Sequence, residues 1–371
     1  MRKYLIVFGT RPEAIKMAPL VMALKDAPQK LQVKVCVTAQ HRHMLDQVLD
    51  FFEIKPDYDL NLMKPSQNLY QLTADVITEM KPVLEDFKPD YVFVHGDTTT
   101  STFTALAAFY AGVKICHVEA GLRTLNKHSP FPEEVNRQIT TRLADVHFAP
   151  TFSAKENLLA EKVDEQMIAV TGNTVIDALL WAKKKLEYYE DAEIAFLKKI
   201  IDPAKKLIVV TGHRRENFGE GFINICNAIN EISKRDDVQI IYPVHLNPKV
   251  QEPVKEILSD NGNINLIEPL SYAAFVYLMS MSYLILTDSG GVQEEAPSLG
   301  KPVLVMRVTT ERPEAVSAGT VKLVGTDKAK IETNVKLLLD SEEVYKAMSI
   351  AGNPYGDGSS CRNIVDFLLK N

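Results

Sequence analysis

The chain has 371 residues, enough for about two domains of ordinary size, and its 46% hydrophobic and 24% charged residues are those of a globular protein that buries a core without disulfide or metal staples. Lys and Arg number 42 against 48 Asp and Glu, a formal net charge of −6, which excludes a general nucleic-acid binder and leaves any anionic ligand to be held by a few placed cations.

At the N-terminus, Met1-Arg2-Lys3 and the apolar Tyr4–Phe8 have the flavour of a signal peptide. The apolar run is too short, however, and Gly9-Thr10-Arg11-Pro12-Glu13 ends it with charge. No run of 18 apolar residues follows, so no membrane span is expected. Cys36, Cys116, Cys226 and Cys361 are far apart and form no C-x-x-C pair. Structural zinc, dithiol redox chemistry and a disulfide framework are therefore not expected, which fits a reducing, cytoplasmic setting.

Short β-branched runs alternate with longer amphipathic stretches. The predicted strands of the first half are Tyr4–Phe8, Val33–Thr38, Tyr91–His95, Lys114–Val118, Val146–Ala149 and Met167–Val170, separated by helical patterns at Pro12–Lys25, Met44–Phe52, Leu69–Phe87 and Thr100–Ala111. A long polar helix is predicted over Ile176–Lys199, broken by Ile201-Asp202-Pro203. The pattern then restarts with strands at Leu207–Thr211, Gln239–Tyr242, Ile264–Ile267, Tyr283–Thr287, Pro302–Met306 and Val321–Val324. The breaker Asn353–Gly358 precedes a last helix at Cys361–Leu369. Such βαβα order predicts parallel sheets with helices on both faces, here as two doubly wound, Rossmann-like α/β domains. The expected division is residues 1–171, residues 172–356, and a terminal segment 357–371 that packs on either unit.

In open α/β sheets ligands bind beyond the carboxyl ends of the strands, so the residues just after each strand should carry the chemistry. After the first strand, Gly9 suits a tight turn and Pro12 the first helical turn, while Arg11 and Lys16 add charge to a helix start that favours anions. The same residues also read as a surface turn with two solvated cations, and G-x-G-x-x-G is absent. After Tyr91–Val94 comes His95-Gly96-Asp97-Thr98-Thr99-Thr100, where Asp97 is either a helix cap or a catalytic carboxylate. After Ile115–Val118 comes Glu119-Ala120-Gly121-Leu122-Arg123, with Arg123 a candidate partner for Glu119, since a carboxylate there is costly to bury unpaired. The His117-x-Glu119 pair lacks the P-C-x-x-C of zinc deaminases. In Pro130-Phe131-Pro132-Glu133-Glu134-Val135-Asn136-Arg137, Glu133 opens a helix and Arg137 lies at i+4 from it, the spacing of a salt bridge.

In the second half, Gly212-His213-Arg214-Arg215-Glu216 reads as an anion site, with His213 able to donate to phosphate or to act as acid or base, and His245 stands between prolines at another strand end. Asp288-Ser289-Gly290-Gly291 offers backbone N–H groups at a helix start. It is neither a G-x-S-x-G elbow, because Thr287 replaces the first glycine, nor part of a P-loop, because Glu295 stands where the glycine before Gly300-Lys301 belongs. Glu295, one turn on, suits a ribose diol, and Arg312 lies at a further strand-to-helix junction.

Together, Gly9-Thr10-Arg11-Pro12-Glu13, His95-Gly96-Asp97-Thr98-Thr99, His117-Val118-Glu119-Ala120-Gly121, Pro132-Glu133-Glu134 with Asn136-Arg137, Gly212-His213-Arg214-Arg215-Glu216, Asp288-Ser289-Gly290-Gly291, Glu311-Arg312-Pro313-Glu314 and Asn353-Pro354-Tyr355-Gly356 resemble the non-hydrolysing UDP-N-acetylglucosamine 2-epimerases, in order and over essentially the whole chain. The resemblance implies a GT-B-like pair of Rossmann-like domains with the active site in the interdomain cleft, no NAD, no catalytic metal or other cofactor, and a homodimer. It also implies interconversion of UDP-N-acetylglucosamine and UDP-N-acetylmannosamine by elimination of UDP to a 2-acetamidoglucal and re-addition, supplying N-acetylmannosamine for cell-surface polysaccharide. Asp97, Glu119 and Glu133 are then the proton handlers, since inversion needs removal from one face and delivery from the other. Arg11, Lys16, His213 and the Ser289-Gly290-Gly291 helix start would stabilise the departing diphosphate. Arg137, His245 and Arg312 would support the substrate, and Glu295 would hold the ribose.

Two departures from the family pattern stand out. Val308 replaces an aspartate common in relatives. In the stretches that in bacterial relatives hold a second UDP-N-acetylglucosamine as activator, here Gln40-His41-Arg42-His43 and Pro65-Ser66-Gln67, His43 and Ser66 replace a usual glutamine and arginine. Activation is therefore expected to be weakened or altered. Rival readings are a hydrolysing 2-epimerase, which releases UDP and free N-acetylmannosamine, a GT-B glycosyltransferase, which needs an acceptor site, and a non-catalytic nucleotide-sugar sensor, which has no use for three placed carboxylates.

Overall fold

The computed structural model of the protein describes residues 1–27, 31–38, 42–62, 64, 67–259 and 261–370, with Arg42 and His43 as backbone only. In the first half the chain lays down strands β1 (Lys3–Phe8), β2 (Gln32–Val37), β3 (Tyr58–Asp59), β4 (Tyr91–His95), β5 (Lys114–Val118), β6 (Val146–Ala149) and β7 (Ile168–Val170), which form one sheet in the order β3-β2-β1-β4-β5-β6-β7. Every described pairing is parallel. Tyr4 to Phe8 are all completely buried, as expected of a strand covered by helices on both faces, whose sequence is then an unbroken apolar run.

The second half repeats the plan. Strands β8 (Lys206–Thr211), β9 (Val238–Pro243), β10 (Ile264–Ile267), β11 (Leu284–Thr287), β12 (Val303–Val305) and β13 (Val321–Leu323) form a parallel sheet in the order β10-β9-β8-β11-β12-β13. Its core joins Ile208, Val210, Ile240, Leu284, Leu286 and Leu304 to the apolar face of helix Glu220–Ile232.

Each sheet has one topological switch point. Strand β1 lies between β2 and β4, and β8 lies between β9 and β11. Chain connections leave in opposite directions there, which opens a crevice at the carboxyl ends of the two central strands. The loops at these crevices are Gly9–Glu13 with His95–Thr100, and Thr211–Arg215 with Asp288–Gly291. The motif-rich segments of the sequence therefore sit where such a fold binds ligands.

Three local expectations need correction. The two-residue β3 is missing from the predicted set, because a strand this short leaves no alternation to detect. The single helix expected over Ile176–Lys199 is two, Thr174–Lys185 and Ala192–Ile200, because Asp191 caps the second by accepting from the Ile194 N–H at 2.8 Å. The compact units are Met1–Ala178 with Tyr355–Asn371, and Leu179–Pro354, so the chain crosses at Ala178, not at residue 171, and returns at Tyr355, not at residue 357.

The bonding around the crossing explains its position. The Asn173 N–H donates to the Tyr355 carbonyl at 2.7 Å, and Asp177 accepts from the Ser360 and Cys361 N–H groups at 3.2 and 2.9 Å, capping the last helix, Ser360–Lys370. That helix packs on the first unit through an edge-to-face contact of Phe367 with Phe148, centroids 5.7 Å apart. Gly172 (φ 87) permits the close approach: a Cβ there would lie 2.6 Å from Ser360 Oγ. Among the described residues no helix is long and apolar enough to cross a membrane.

Candidate active site

In the first unit the site grows out of the β1 and β4 loops. Thr10 caps helix Arg11–Lys25, and Glu13 closes a capping box by accepting from the Thr10 N–H at 2.8 Å. The same buried carboxylate accepts from the Gly9 N–H at 3.0 Å, from Thr98 Oγ1 at 2.6 Å and from Ser101 Oγ at 2.9 Å. Glu13 thus ties the loop after β1 to the loop after β4, and the Thr10-x-x-Glu13 spacing was the available signal for it.

Gly9 is required by packing rather than by its dihedral angles. An added Cβ would sit 2.0 Å from Thr38 Oγ1 and 2.6 Å from Thr100 Oγ1, two buried hydroxyls that share a hydrogen bond of 2.9 Å. Gly9→Ala is therefore expected to lower stability by about 1–3 kcal/mol, the usual effect of overpacking. Chemical denaturation checks this, and an unchanged midpoint contradicts it.

Glu119 follows β5 at φ 60, a left-handed conformation that costs a non-glycine residue of order 1–3 kcal/mol and persists only where neighbours enforce it. Its carboxylate forms an ion pair with Lys16, accepts from Asn173 Nδ2 at 2.8 Å and faces His95 Nε2 at 3.6 Å, too far for a hydrogen bond. Burial by itself would raise its pKa, but the Lys16 ammonium, with His95 beside it, holds the carboxyl well below the usual range. Glu119 is thus an ionised, buried carboxylate. Arg123 is not its partner: it forms a two-pronged pair with Glu161 at 2.6 and 3.0 Å. Lys16, expected at the phosphates, meets Glu119. Asn173 had no local signature, because its role depends on a contact across 54 residues.

Asp97 follows β4, and its carboxylate pairs with Arg137 while its carbonyl accepts from Asn136 Nδ2 at 2.9 Å. The helix cap at this junction is Thr98, which accepts from the Ser101 N–H at 3.0 Å, so Asp97 is not spent on capping. The expected Glu133–Arg137 bridge does not form. Arg137 instead contacts Asp97 and, at 3.3 Å, Glu134. Glu134 is fully buried and accepts from the Thr124 and Leu125 N–H groups at 2.9 and 3.1 Å and from Gln138 at 2.9 Å. Glu133, one helical turn before Arg137, therefore keeps its carboxylate: Oε2 is buried and makes no hydrogen bond among the described residues. Arg11 opens the helix after β1 and is half-buried.

Behind this site His117 and His147 stack edge to face, with centroids 6.4 Å apart. Burial pushes the pKa of His117 down to about 3, helped by the neighbouring His147, and burial likewise takes His147 to about 4. Both stay neutral in the folded chain while the unfolded chain takes up protons below its ordinary value of 6.5. Stability is therefore full above that value and falls as pH drops towards the folded values, by about 2 kcal/mol per histidine on reaching roughly pH 5. Denaturant midpoints at neutral pH and near pH 5 test this; equal stabilities contradict it.

In the second unit Asp288 organises the crevice. It is completely buried after β11, and its Oδ2 accepts from the His213 and Arg214 N–H groups at 2.9 and 2.8 Å and from Asn217 Nδ2 at 3.2 Å. The loop after β8 is thereby fixed to the loop after β11. The His213 ring stacks on His245, centroids 5.2 Å apart and 14° from parallel, while its Nδ1 lies 3.7 Å from Asp288. Partial burial lowers the His213 pKa below its ordinary value, with His245 and Arg214 adding to this against the opposing pull of Asp288. His245 accepts from the Asn247 N–H at 3.1 Å.

The helix start Ser289-Gly290-Gly291 is surrounded by charge. A Cβ on Gly290 would lie 3.1 Å from Glu311 Oε1, 3.7 Å from Arg214 Nη2 and 3.9 Å from Arg312 Nη2. Arg312 is held by an ion pair with buried Glu294, and Arg307 joins Glu216 and Glu311 at 2.6 and 2.7 Å. Glu295 is buried on the same helix, and Val308 is 80% exposed. Arg307 was not among the expected site residues, since its bonds to Glu216 and Glu311 depend on a loop-to-loop packing that spacing does not reveal. Gln40 and Ser66 lie outside the described residues, as does the side chain of His43. Among the described residues no group of three or more His, Cys, Asp or Glu is placed to hold a metal ion.

The chain has known relatives. A sequence-family model described as UDP-N-acetylglucosamine 2-epimerase matches residues 22–369. The chain is 58% identical over 372 residues to the UDP-N-acetylglucosamine 2-epimerase of Escherichia coli K12, covering 100% of this chain and 99% of that one. It is similar in fold to the Neisseria meningitidis UDP-GlcNAc 2-epimerase solved with UDP-GlcNAc, with TM-score 0.91, 53% identity and complete coverage of both chains. A Staphylococcus aureus protein solved with UDP matches with TM-score 0.87 and 50% identity, over 100% of this chain and 96% of that one. With the family model and these relatives matching almost end to end, the chain belongs to the UDP-N-acetylglucosamine 2-epimerase family.

Proposed function

We propose that the protein interconverts UDP-N-acetylglucosamine and UDP-N-acetylmannosamine by removing UDP to form a 2-acetamidoglucal and adding it back with the opposite configuration at C2. The observation that carries this reading is the state of Glu119, a buried carboxylate kept ionised by Lys16 in the unit that also carries Asp97 and Glu133, in a chain 53% identical to a protein solved with UDP-GlcNAc. The sugar C2–H is not acidic until the C1–O bond begins to break and positive charge develops at C1. A carboxylate on one face then takes the proton, and an acid on the other returns one during re-addition.

The second unit supplies the leaving-group side of this scheme. His213, the Ser289-Gly290-Gly291 helix start and Arg312 hold the diphosphate, and Glu295 takes the ribose diol. His213, largely neutral without substrate, gains a proton more readily as phosphate charge develops beside it. His245 orients His213 through the stacked rings, and Arg137 orients Asp97. Lys16 serves Glu119 first.

The reading needs neither NAD nor a metal, and turnover is expected to be unaffected by EDTA or by removal of nucleotide cofactors. An EDTA-sensitive rate, restored by a divalent cation, contradicts this. Product analysis by anion-exchange chromatography tests the function itself. UDP-N-acetylmannosamine is expected, whereas UDP with free N-acetylmannosamine identifies a hydrolysing enzyme, and unchanged substrate with measurable binding identifies a sensor. We further propose a cytoplasmic homodimer that supplies N-acetylmannosamine for surface polysaccharide, its mass to be read by light scattering. With His43 and Ser66 in the second-site segments, activation by added UDP-N-acetylglucosamine is expected to be weak or altered. A titration into the UDP-N-acetylmannosamine reaction that shows strong activation contradicts that expectation.

A further inference from the structure

His117 is completely buried at the end of β5, two residues before Glu119. Its Nε2 lies 2.7 Å from the carbonyl oxygen of Gly96. A buried imidazole that stays neutral can make this contact only by carrying its proton on Nε2 and donating it. The Gly96 N–H in turn donates to the Val118 carbonyl at 2.9 Å. The turn after β4 is thus fastened to β5 on both sides of Gly96, which is left-handed at φ 63. Asp97 is the next residue in that turn, and its own carbonyl is held by Asn136. Glu119 is left-handed as well, and its Oε1 lies 3.7 Å from where a Cβ on Gly96 would stand.

We propose that His117 is a positioning residue for C2 epimerisation: its Nε2–H, donated to the Gly96 carbonyl, sets the turn that carries Asp97 relative to Glu119. It acts through the turn, because its ring is completely buried and its bond goes to backbone. The requirement comes from the chemistry, in which two carboxylates must address opposite faces of one carbon, and a misplacement of about 1 Å can slow such a step about 10²-fold. The inference rests on the epimerase reading above.

Full-length H117Q and H117N test it. Glutamine places its amide nitrogen where the imidazole Nε2 stands, while asparagine places it nearer Nδ1. H117Q is expected to keep kcat within about threefold of the parent and H117N to lose about tenfold or more, with KM, UDP binding and the shape of the pH profile alike in both. Equal kcat in the two variants overturns the proposal, whether both match the parent or both fall together. A pH profile displaced in H117Q also overturns it, since that marks an acid or base. The ring nitrogen shifts of His117 in the parent protein give a second readout independent of variant folding: a proton on Nε2 is expected, and one on Nδ1 alone overturns the proposal. If the parent itself fails to exchange deuterium into C2, the epimerase reading fails; if it exchanges while the two variants match each other, only the positioning role fails.

Discussion

Asp97→Asn is expected to lower turnover in both directions by about 10²–10⁴-fold, the range that a placed acid or base contributes, while UDP binding stays within about twofold. The two effects separate because the proposed diphosphate contacts belong to the second unit and Asp97 belongs to the first. Asparagine preserves the shape of the side chain and can still accept from Arg137, so the substitution removes charge and basicity more than structure. Arg137 also keeps its contact with buried Glu134, which limits the loss of stability. Isothermal titration with UDP and a coupled epimerisation assay make the comparison. Full turnover in Asp97→Asn removes this carboxylate from the mechanism, and a parallel loss of UDP affinity makes it a binding residue instead.

Glu119→Gln is expected to abolish turnover and to destabilise the fold by about 3–5 kcal/mol, because it breaks one side of a buried ion pair and removes the carboxylate that balances the Lys16 ammonium. The side chains of Lys16 and Glu119 are 15% and 9% exposed, so water does little to replace the lost carboxylate beside the ammonium. The double variant Lys16→Met/Glu119→Gln removes both charges and is expected to regain much of the stability but none of the activity. That asymmetry separates the structural from the chemical role of the pair. A Glu119→Gln protein with parental midpoint and rate contradicts both halves of the prediction. Recovery of activity in the double variant contradicts the second.

The two doubly wound units were legible because parallel, fully buried strands write themselves as apolar runs, as in Tyr4–Phe8 and Leu207–Val210. The placement of the proposed proton handlers was legible because a strand end at a switch point is a predictable place for chemistry, and Asp97, Glu119 and Glu133 all lie next to such ends or open the following helix. The bonding between those residues was not legible. Arg137 stands at i+4 from Glu133 but bonds to Glu134 and Asp97, since the rotamer that a neighbouring loop enforces decides between two adjacent carboxylates. Arg123 stands close to Glu119 in sequence but serves Glu161, and the partner of Glu119 comes instead from the helix after β1. Asn173 and Asp288 illustrate the same limit, as side chains that gather backbone or side-chain groups from distant segments leave no periodicity behind. Glu13 is the exception, because a capping box is a local motif and its further bonds to Thr98 and Ser101 build on that local geometry.

The central claim is that the C2–H bond of a UDP-linked sugar is broken and remade. A proton NMR time course of the protein with UDP-N-acetylglucosamine in D2O tests it most directly. The account predicts that UDP-N-acetylmannosamine appears and that the C2 proton signal disappears from both UDP-sugars as deuterium enters, with no free N-acetylmannosamine. Retention of the C2 proton, or accumulation of free N-acetylmannosamine with UDP, would contradict it.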